Sequence, residues 1–501
     1  MQIDSLGRSG KFDQLREFLR SAGYTEEILC ERFQLERAEQ FELDRGKRAP
    51  LPEAASAADI LTALYLAGEF VSLEKAVRLM GRDIMDLLNG MGLLEIDEAA
   101  GRCHGTVALY PLADLHIASD RWSNPDDAPF EAPSDTVYPA FIPNTRLFLA
   151  HIPLGECRSF LDLCAGTGIA AILAAKQGAR EAWAGDIAGR STRFAEFNGR
   201  LNGVPNFHPV TSDLYGSLSQ RAFDRIVAHP PYVPVLQPKW IFFSGGEDGE
   251  EITRRIVEGL PAHLNDRGVF LALTMGTDRS DAPFESRLRE WLGEGGRDFD
   301  IALIVRKILE PHEFAARANP RTGRSREESA AWKKLFARLG VESLVYGLVV
   351  IQRRTGARQT FTVRRQASPG SRRAPWEWLL AWESAATEDL TRLILSRPLH
   401  RGRDAEFQVR HRLQGSTWAP QRYTLRTEWP FDMECDAHPW MANLISLCDG
   451  RATGRDQLRV LVENEILPRG IAEDEFARAA AGLVSGGFIE VEGFRPPRAA
   501  G

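Results

Sequence analysis

Several things are scarce in this sequence, and each scarcity removes a class of protein. Six cysteines, Cys30, Cys103, Cys157, Cys164, Cys435 and Cys448, are scattered over 501 residues without a CxxC pair. That argues against a disulfide framework or a zinc site and fits free thiols in a reducing cytoplasm. No stretch approaches the ~20 apolar residues needed to span a bilayer. The opening MQIDSLGRSGKFDQ lacks the apolar run of a signal peptide. A cytoplasmic protein with no membrane partner is the expectation. His151, His208 and His312 show no ligand spacing, so structural roles and no metal are expected for them. A net charge of −7 gives no whole-molecule attraction to nucleic acid, leaving only local patches to consider.

What is present is ordinary in bulk. Apolar content of 44% and charged content of 26% describe a soluble globular protein. A chain of 501 residues is too long for one ordinary core, so two to four domains are expected.

Helical patterning runs from about 12 to 48, with Phe12, Leu15, Phe18 and Leu19 on one face. It breaks at Pro50 and Pro52. Three short apolar helices follow, ADILTALYLAGEF, SLEKAVRLMG and DIMDLLNGMGLLEI, with Ser72 placed to cap the second. The alternating run GTVALYPLADLHIASD trails them, and the whole has the outline of a winged helix. Such a module docks nucleic acid or substrate, or serves as a packing or dimerisation cap. Its helices show little basic excess, which favours the cap. The Pro/Asp-rich SNPDDAPFEAPSDT marks a boundary, giving a first module over 1–122.

From Ser159 the pattern alternates. Strand-like runs RSFLDL, EAWAGD, FHPVTSD, FDRIVAHP, GVFLALTM, DIALIVRK and SLVYGLVVIQ are separated, in the early part, by helical runs. That predicts an α/β domain over 137–353 with a seven-stranded, mostly parallel sheet covered on both faces. A basic insertion with its own helix, PHEFAARANPRTGRSREESAAWKKLFARLG, precedes the last strand, as either a lid or a connecting helix.

Between Ile351 and Arg426 there are 15 arginines and no lysine against six acids, with Trp376, Trp378, Trp382 and Trp418 interleaved. Arginine with aromatics suits phosphate pairing and base stacking. Because lysine is scarce throughout, the same run also reads as an ordinary arginine-rich surface. A basic Arg/Trp-rich α+β region is assigned to 354–430, and a second winged-helix-like module to 431–501.

The chemistry concentrates in two places. Gly166-Thr167-Gly168-Ile169-Ala170-Ala171 is a glycine loop between a strand and a helix, able to bring backbone N–H groups and a helix N-terminus to an anionic group. Asp186 lies 20 residues after Gly166 at the end of the next strand, where an acid can accept ribose hydroxyls. On these features alone a nicotinamide-dependent oxidoreductase is equally served, because GTGIAA fits the loose dinucleotide pattern. Three further features are Asp162 in DLCAGTG, Asp213 in TSDLYG, and His229-Pro230-Pro231-Tyr232 after the fourth strand. Two successive prolines make a stiff ledge for the groups beside them.

Together, DLCAGTG, AWAGD, TSDLYG and HPPY resemble class I S-adenosylmethionine-dependent methyltransferases of the branch with an [N/D/S]-P-P-[Y/F] motif. That branch includes release-factor glutamine N5-, ribosomal RNA guanine N2- and adenine N6-methyltransferases. FSGGEDGEEITRRIV at 243–257 is similar to the GGxDG segment of its glutamine and RNA members, and VYPAFIPNTRLFL is placed like their segment before the cofactor strand. The likeness covers about 137–353.

The resemblance implies a Rossmann-like methyltransferase sheet and S-adenosylmethionine as cofactor. It implies that Asp162 and the Cys164, Ala165, Gly166, Thr167 and Gly168 loop hold the methionine end. Asp186 with Ile187 would take the ribose side, and Asp213 with Leu214 the adenine. His229, Pro230, Pro231 and Tyr232 would receive the acceptor nitrogen, with His229 standing where the family usually has Asn, Asp or Ser. A neutral imidazole accepts one hydrogen bond from a planar amine, or removes a proton as a general base.

The expectation is therefore methyl transfer to nitrogen, in RNA or in a translation-factor protein as partner. The alternatives are a small-metabolite methyltransferase and a non-enzymatic regulator that senses the cofactor.

Overall fold

A computed structural model describes residues 5–43, 46–125, 130–236, 240–316 and 326–496. The chain divides into two compact units, Met1–Leu273 and Thr274–Gly501.

The first unit begins with α1 (Phe12–Ser21) and α2 (Glu26–Phe33). Phe12, Leu15, Phe18 and Leu19 of α1 are buried, as their spacing predicts. The Phe12 ring packs 5.4 Å from that of Phe197. Next come α3 (Ala57–Leu61), β1 (Val71–Ser72), α4 (Leu73–Met80), α5 (Arg82–Gly90), β2 (Leu94–Asp97) and β3 (Arg102–Gly105). Ser72 caps α4 by accepting from the Lys75 N–H. The three short strands form one antiparallel sheet in the order β1-β3-β2. The hairpin β4 (Ala108–Leu112) and β5 (Leu115–Ser119) follows as a separate two-stranded ribbon. A helix α6 (Pro143–Leu149) leads into the larger sheet.

That sheet is built from β6 (Cys157–Leu163), α7 (Ile169–Lys176), β7 (Ala179–Asp186), α8 (Gly189–Leu201), β8 (Phe207–Thr211), β9 (Phe223–Ala228), α9 (Glu251–His263) and β10 (Leu264–Arg279). Its strands are parallel in the order β8-β7-β6-β9-β10. The central β6 buries Phe160, Leu161, Asp162 and Leu163, which is why it reads as a nearly continuous apolar run. The helix α7 is apolar all round, with Ile169 through Ala174 buried, as befits a helix enclosed by its neighbours. After β8 the chain crosses back to the far side of β6, so the order reverses between β6 and β9. In an open α/β sheet such a reversal leaves a crevice beyond the carboxyl ends of the two strands.

The strap between α8 and the β4–β5 ribbon is made by two amides. Asn198 accepts from the Ala118 N–H at 2.7 Å and donates to the Ala118 carbonyl at 3.0 Å. Asn202 does the same with His116, at 3.0 and 2.8 Å. Positions i and i+4 lie on one helix face about 6 Å apart. Residues i and i+2 of a strand expose the same backbone edge at about 6.7 Å. The two repeats match, so a helix satisfies a strand edge that would otherwise need another strand.

In the second unit α10 (Phe284–Trp291), β11 (Phe299–Leu309), α11 (Pro311–Ala316), α12 (Arg326–Leu339) and β12 (Val341–Arg353) come first. The pair β11–β12 is antiparallel. Of the seven strands expected from the sequence, β6 to β10 begin in the first unit and these two lie in the second. The basic insertion holds α11 and α12, which pack Phe314, Trp332 and Phe336 against one another; 317–325 lie outside the described residues.

β13 (Thr362–Ala367) then pairs in parallel with β11, and α13 (Arg373–Leu395) follows, interrupted at Asp389. After β14 (Pro398–Arg401), strands β15 (Glu406–Gln414), β16 (Thr417–Thr427) and β17 (Phe431–Asp436) extend the β13 edge in the order β15-β16-β17-β13. The chain ends in α14 (Pro439–Leu447), β18 (Asp449–Thr453), α15 (Gly454–Glu463), α16 (Glu473–Ser485) and β19 (Ile489–Val491). Here the sheet order is β18-β14-β19, so its middle strand comes from upstream of β15.

Three of the four tryptophans singled out above are core residues. Trp376, Trp378 and Trp382 are buried. The indole N–H groups of Trp378 and Trp382 donate to the Phe494 carbonyl and to Ser485 Oγ, both at 2.7 Å. Arg364 is spent on Asp278, bidentate at 2.9 and 3.0 Å, and Arg365 on Glu383 at 3.2 Å. Only Trp418 of this set is exposed. Among the described residues no helix is long and apolar enough to cross a membrane.

Candidate active site

The residues that the resemblance implies for cofactor and acceptor lie at the carboxyl end of the parallel sheet in the first unit. After β6 the chain turns through Cys164 (φ 56°), Ala165, Gly166 (φ 53°), Thr167 and Gly168 (φ 76°) before α7 begins. A left-handed Cys164 is costly for a residue with a Cβ, and such strain is held only where surrounding contacts fix the loop. Here they do. Ala165 N–H donates to the Gly185 carbonyl at 3.1 Å, and Gly166 N–H to Asp186 Oδ2 at 2.9 Å. The buried Asn198 that straps β5 also donates to the Thr167 carbonyl at 3.0 Å.

The two loop glycines do different jobs. A Cβ on Gly168 would lie 2.9 Å from the Phe207 ring and 3.0 Å from Ala195 Cβ, so its smallness serves packing. A Cβ on Gly166 would meet nothing within 4 Å. Gly166 therefore borders open space, as a backbone approached by a ligand must.

Asp186 is fixed from both sides, because Oδ1 also accepts from the Ala188 N–H at 2.9 Å. Burial nonetheless pushes its carboxyl above the usual range. Asp162, 3% exposed on β6, is pushed well above that range, first by burial and then by the neighbouring Asp186. A pair of this kind is a poor place for two negative charges and a good one for a cation. Ile187 follows Asp186 with 59% exposure, an apolar ledge at the strand end. Asp213 lies beyond β8, exposed and ion-paired with Arg255 of α9 at 2.8 Å. Leu214 beside it is again left-handed, at φ 49°. Burial is also the main cause of a strongly raised Cys164 thiol, with Asp186, Asp162 and Asp213 adding to it.

Leu163 pairs with Ala228, so the glycine loop and His229 leave the sheet side by side, about 4.8 Å apart as neighbouring strands are. The His229 ring lies between Phe148 (5.4 Å) and Tyr232 (5.9 Å). Burial in this apolar setting pushes its pKa down to about 4, so the imidazole is neutral at ordinary pH. Neither ring nitrogen is hydrogen-bonded among the described residues. Pro230 is buried and Pro231 half-buried. Tyr232 accepts from Asn144 Nδ2 of α6 at 3.1 Å. The GGEDG segment packs on this ledge: a Cβ on Gly249 would lie 2.5 Å from the Tyr232 carbonyl. Close backbone approach, then, is why glycine stands there.

Sequence reasoning missed Asn144, Asn198, Asp120 and Arg190. Asp120 accepts from the Val137 N–H at 2.8 Å and from Arg190 Nε at 2.7 Å, tying the segment before α6 to α8. One signal was available for Asn198: it stands among Phe194, Ala195, Phe197 and Leu201, a polar residue on a buried face. Of the histidines expected to be structural, His151 Nδ1 is bonded to the Leu147 carbonyl at 2.8 Å, His208 packs on Trp183, and His312 is exposed on α11. No cluster able to hold a metal ion occurs among the described residues.

Comparison with known proteins finds similarity to methyltransferases. Residues 142–293 match the family model described as the methyltransferase small domain. A Methanocaldococcus jannaschii protein described as an N5-glutamine methyltransferase is 35% identical over 118 residues, covering 22% of this chain and 59% of that protein. The ribosomal protein uL3 glutamine methyltransferase of Bradyrhizobium diazoefficiens is 32% identical over 164 residues, covering 30% and 51%. The release factor glutamine methyltransferase of Thermodesulfovibrio yellowstonii is 30% identical over 129 residues, covering 23% and 46%. The chain thus spans about half the length of the curated relatives it matches, and the family-model match over 142–293 includes the glycine loop, Asp186 and the His-Pro-Pro-Tyr ledge.

Proposed function

We propose that this chain is an S-adenosylmethionine-dependent methyltransferase whose acceptor is a nitrogen, in the side-chain amide of a protein glutamine. The observation that carries the reading is the family match over 142–293, which falls on the residues gathered at one end of the parallel sheet. The glutamine methyltransferases among its relatives favour a protein over RNA as acceptor. A protein substrate of the translation apparatus, met in the cytoplasm, fits the names of two of them.

The site suits the cofactor. Asp162, buried beside Asp186, takes its ammonium group. The open backbone at Gly166 and the N-terminus of α7 face its carboxylate. Asp186 retains lone pairs for the ribose hydroxyls, while Ile187 and Leu214, with Asp213, border the adenine. The cofactor supplies an electrophilic methyl group on a sulfonium.

The rest falls to this chain. Tyr232, held by Asn144, walls the acceptor side. His229, neutral and without a hydrogen bond of its own, accepts one N–H of the planar amide in place of the usual Asn. With a pKa of about 4 it is a weak base, so hydrogen-bond acceptance is favoured over proton removal. Holding the amide nitrogen in line with the methyl group is then the main source of rate, the C–S bond breaking as the C–N bond forms and the displaced amide proton passing to solvent. The helix–strand–helix–helix–strand–strand order of α3 to β3, with sheet order β1-β3-β2, supports a winged-helix reading of the N-terminal module.

The test is transfer of labelled methyl groups from S-adenosylmethionine into a lysate, with protein, RNA and small-molecule fractions counted separately. Label in protein, mapped to glutamine by mass spectrometry, is the expected result. Label confined to RNA or to small molecules would overturn the acceptor, and no cofactor binding would overturn the class.

A further inference from the structure

The arginines of the second unit separate into two sets. Arg364 and Arg365 are consumed by internal carboxylates. On the β15–β16 hairpin, Arg422 and Arg426 pair with the exposed Asp436 and Glu428, and Arg410 and Arg412 have no ion-pair partner among the described residues. From Glu406 to Thr427 this hairpin carries Arg410, Arg412, Arg422 and Arg426 against one carboxylate, Glu406, which stands opposite Arg426. β15 is paired on one side only, with β16, and β17 reaches β16 only over Thr424–Thr427. Its outer part is therefore a ribbon two strands wide.

The register sorts the side chains. Arg410 stands directly opposite Arg422, and Arg412 is two residues along on the same face. Two like charges in direct cross-strand register destabilise a sheet unless an anion lies over them. Arg422 has Asp436 at 2.7 Å, itself exposed. Arg410 and Arg412 have no ion-pair partner among the described residues. The opposite face is apolar: Val409 faces Tyr423, and Leu413 faces Trp418 near the tip. Their exposures are 40% for Val409, 52% for Leu413 and 65% for Trp418.

We propose that the β15–β16 hairpin is an arm that docks unpaired RNA, with phosphates along Arg410, Arg412 and Arg422 and a base stacked on Trp418. Guanidinium groups two residues apart on a strand are about 6.7 Å apart, comparable with successive phosphates on one strand. An uncovered indole is a stacking platform for any base. A ribbon so narrow puts both faces within reach of a single strand passing round its edge. An acidic protein segment would answer the arginines but gives no account of the bare indole. The proposal is independent of the methyl-transfer reading, since it concerns binding alone.

Fluorescence anisotropy of a labelled 12-nucleotide oligouridylate with the full chain, between 50 and 200 mM salt, tests it. Wild type is expected to bind with a salt slope to which three phosphate contacts contribute about −2. R410Q/R412Q/R422Q should lose at least tenfold in affinity and that part of the slope. W418A should lose several-fold with the slope kept. All four positions are exposed, so melting temperatures should match wild type. If the triple variant melts early, R410K/R412K/R422K must retain most of the binding. Absence of binding by wild type, equal affinity of the triple variant, or displacement of the RNA by an oligoglutamate peptide of equal charge would each overturn the proposal.

Discussion

Asn198 holds Ala118 by both of its backbone groups, accepting the N–H at 2.7 Å and donating to the carbonyl at 3.0 Å. The same amide nitrogen reaches the Thr167 carbonyl in the glycine loop at 3.0 Å. One fully buried side chain therefore joins the β4–β5 ribbon, α8 and the cofactor loop. Replacing it with Ala leaves three buried backbone groups unpaired, a loss on the order of 3 kcal/mol. Asn202→Ala, at a half-buried position, should cost about 1 kcal/mol. Urea denaturation of the two variants checks the ranking, and equal losses would overturn it.

The role proposed for Asp162 would make cofactor binding pH-dependent with a definite sign. Burial and Asp186 keep its carboxyl protonated well above the ordinary carboxylate range. An ammonium group placed against it favours the ionised form, so a proton leaves on binding. Affinity for S-adenosylhomocysteine should rise with pH and level off once Asp162 is ionised in the free protein. Calorimetry in buffers of different ionisation heat would show the proton directly. Asp162→Asn should weaken binding roughly 10- to 100-fold and remove the release; a buffer-independent enthalpy in wild type would exclude this role.

His229 predicts a stability trend and a rate profile. Its folded pKa of about 4 lies below the ordinary value near 6.5. The unfolded chain thus binds the extra proton first, and stability falls as pH drops from 6.5 towards 4. The slope is at most about 1.4 kcal/mol per unit, reduced by the ring's partial exposure, and is absent in His229→Gln. Methyl transfer should show no His229 titration between pH 5 and 8, and His229→Asn should keep activity within about tenfold. A general base would instead lose roughly 100-fold or more in His229→Asn, with its acid limb near 4 in wild type.

The two loop glycines should separate folding from binding. Gly168→Ala drives a methyl into Phe207 and Ala195 and should cost roughly 1–3 kcal/mol. Gly166→Ala meets no protein atom and costs only backbone strain, about 1 kcal/mol. Its larger effect should be on cofactor affinity. Thermal melts with and without S-adenosylhomocysteine measure both; a stabilising response to ligand in Gly166→Ala equal to wild type would show that the ligand does not pass over Gly166.

Most of the site was legible because its parts are local. The strand ends β6, β7 and β9 read as apolar runs, and each is followed within a few residues by its glycine, acid or proline. What stayed hidden depends on partners distant in sequence. Asn198 finds Ala118 eighty residues away, and nothing near either residue marks the pair. Asn144 acquires meaning only when α6 brings it to Tyr232. The tryptophans near 380 looked like stacking surfaces because composition cannot say which face of α13 is covered. Ion pairs in the structure then separated Arg364, Arg365, Arg422 and Arg426 from Arg410 and Arg412, which composition had merged.

The middle strand of the C-terminal sheet has a consequence for cutting the chain. β14 leaves after α13, and 47 residues separate its end from the start of β18, its first partner. A fragment that begins at 431 carries two strands with a gap between them, each presenting an unpaired edge. The smallest self-sufficient piece must start before Pro398, and so must contain the arginine-bearing hairpin as an internal loop. The hairpin itself pairs through β17 onto the β13 edge, so a piece that starts between β13 and Pro398 keeps the C-terminal sheet whole but leaves β17 without its β13 partner.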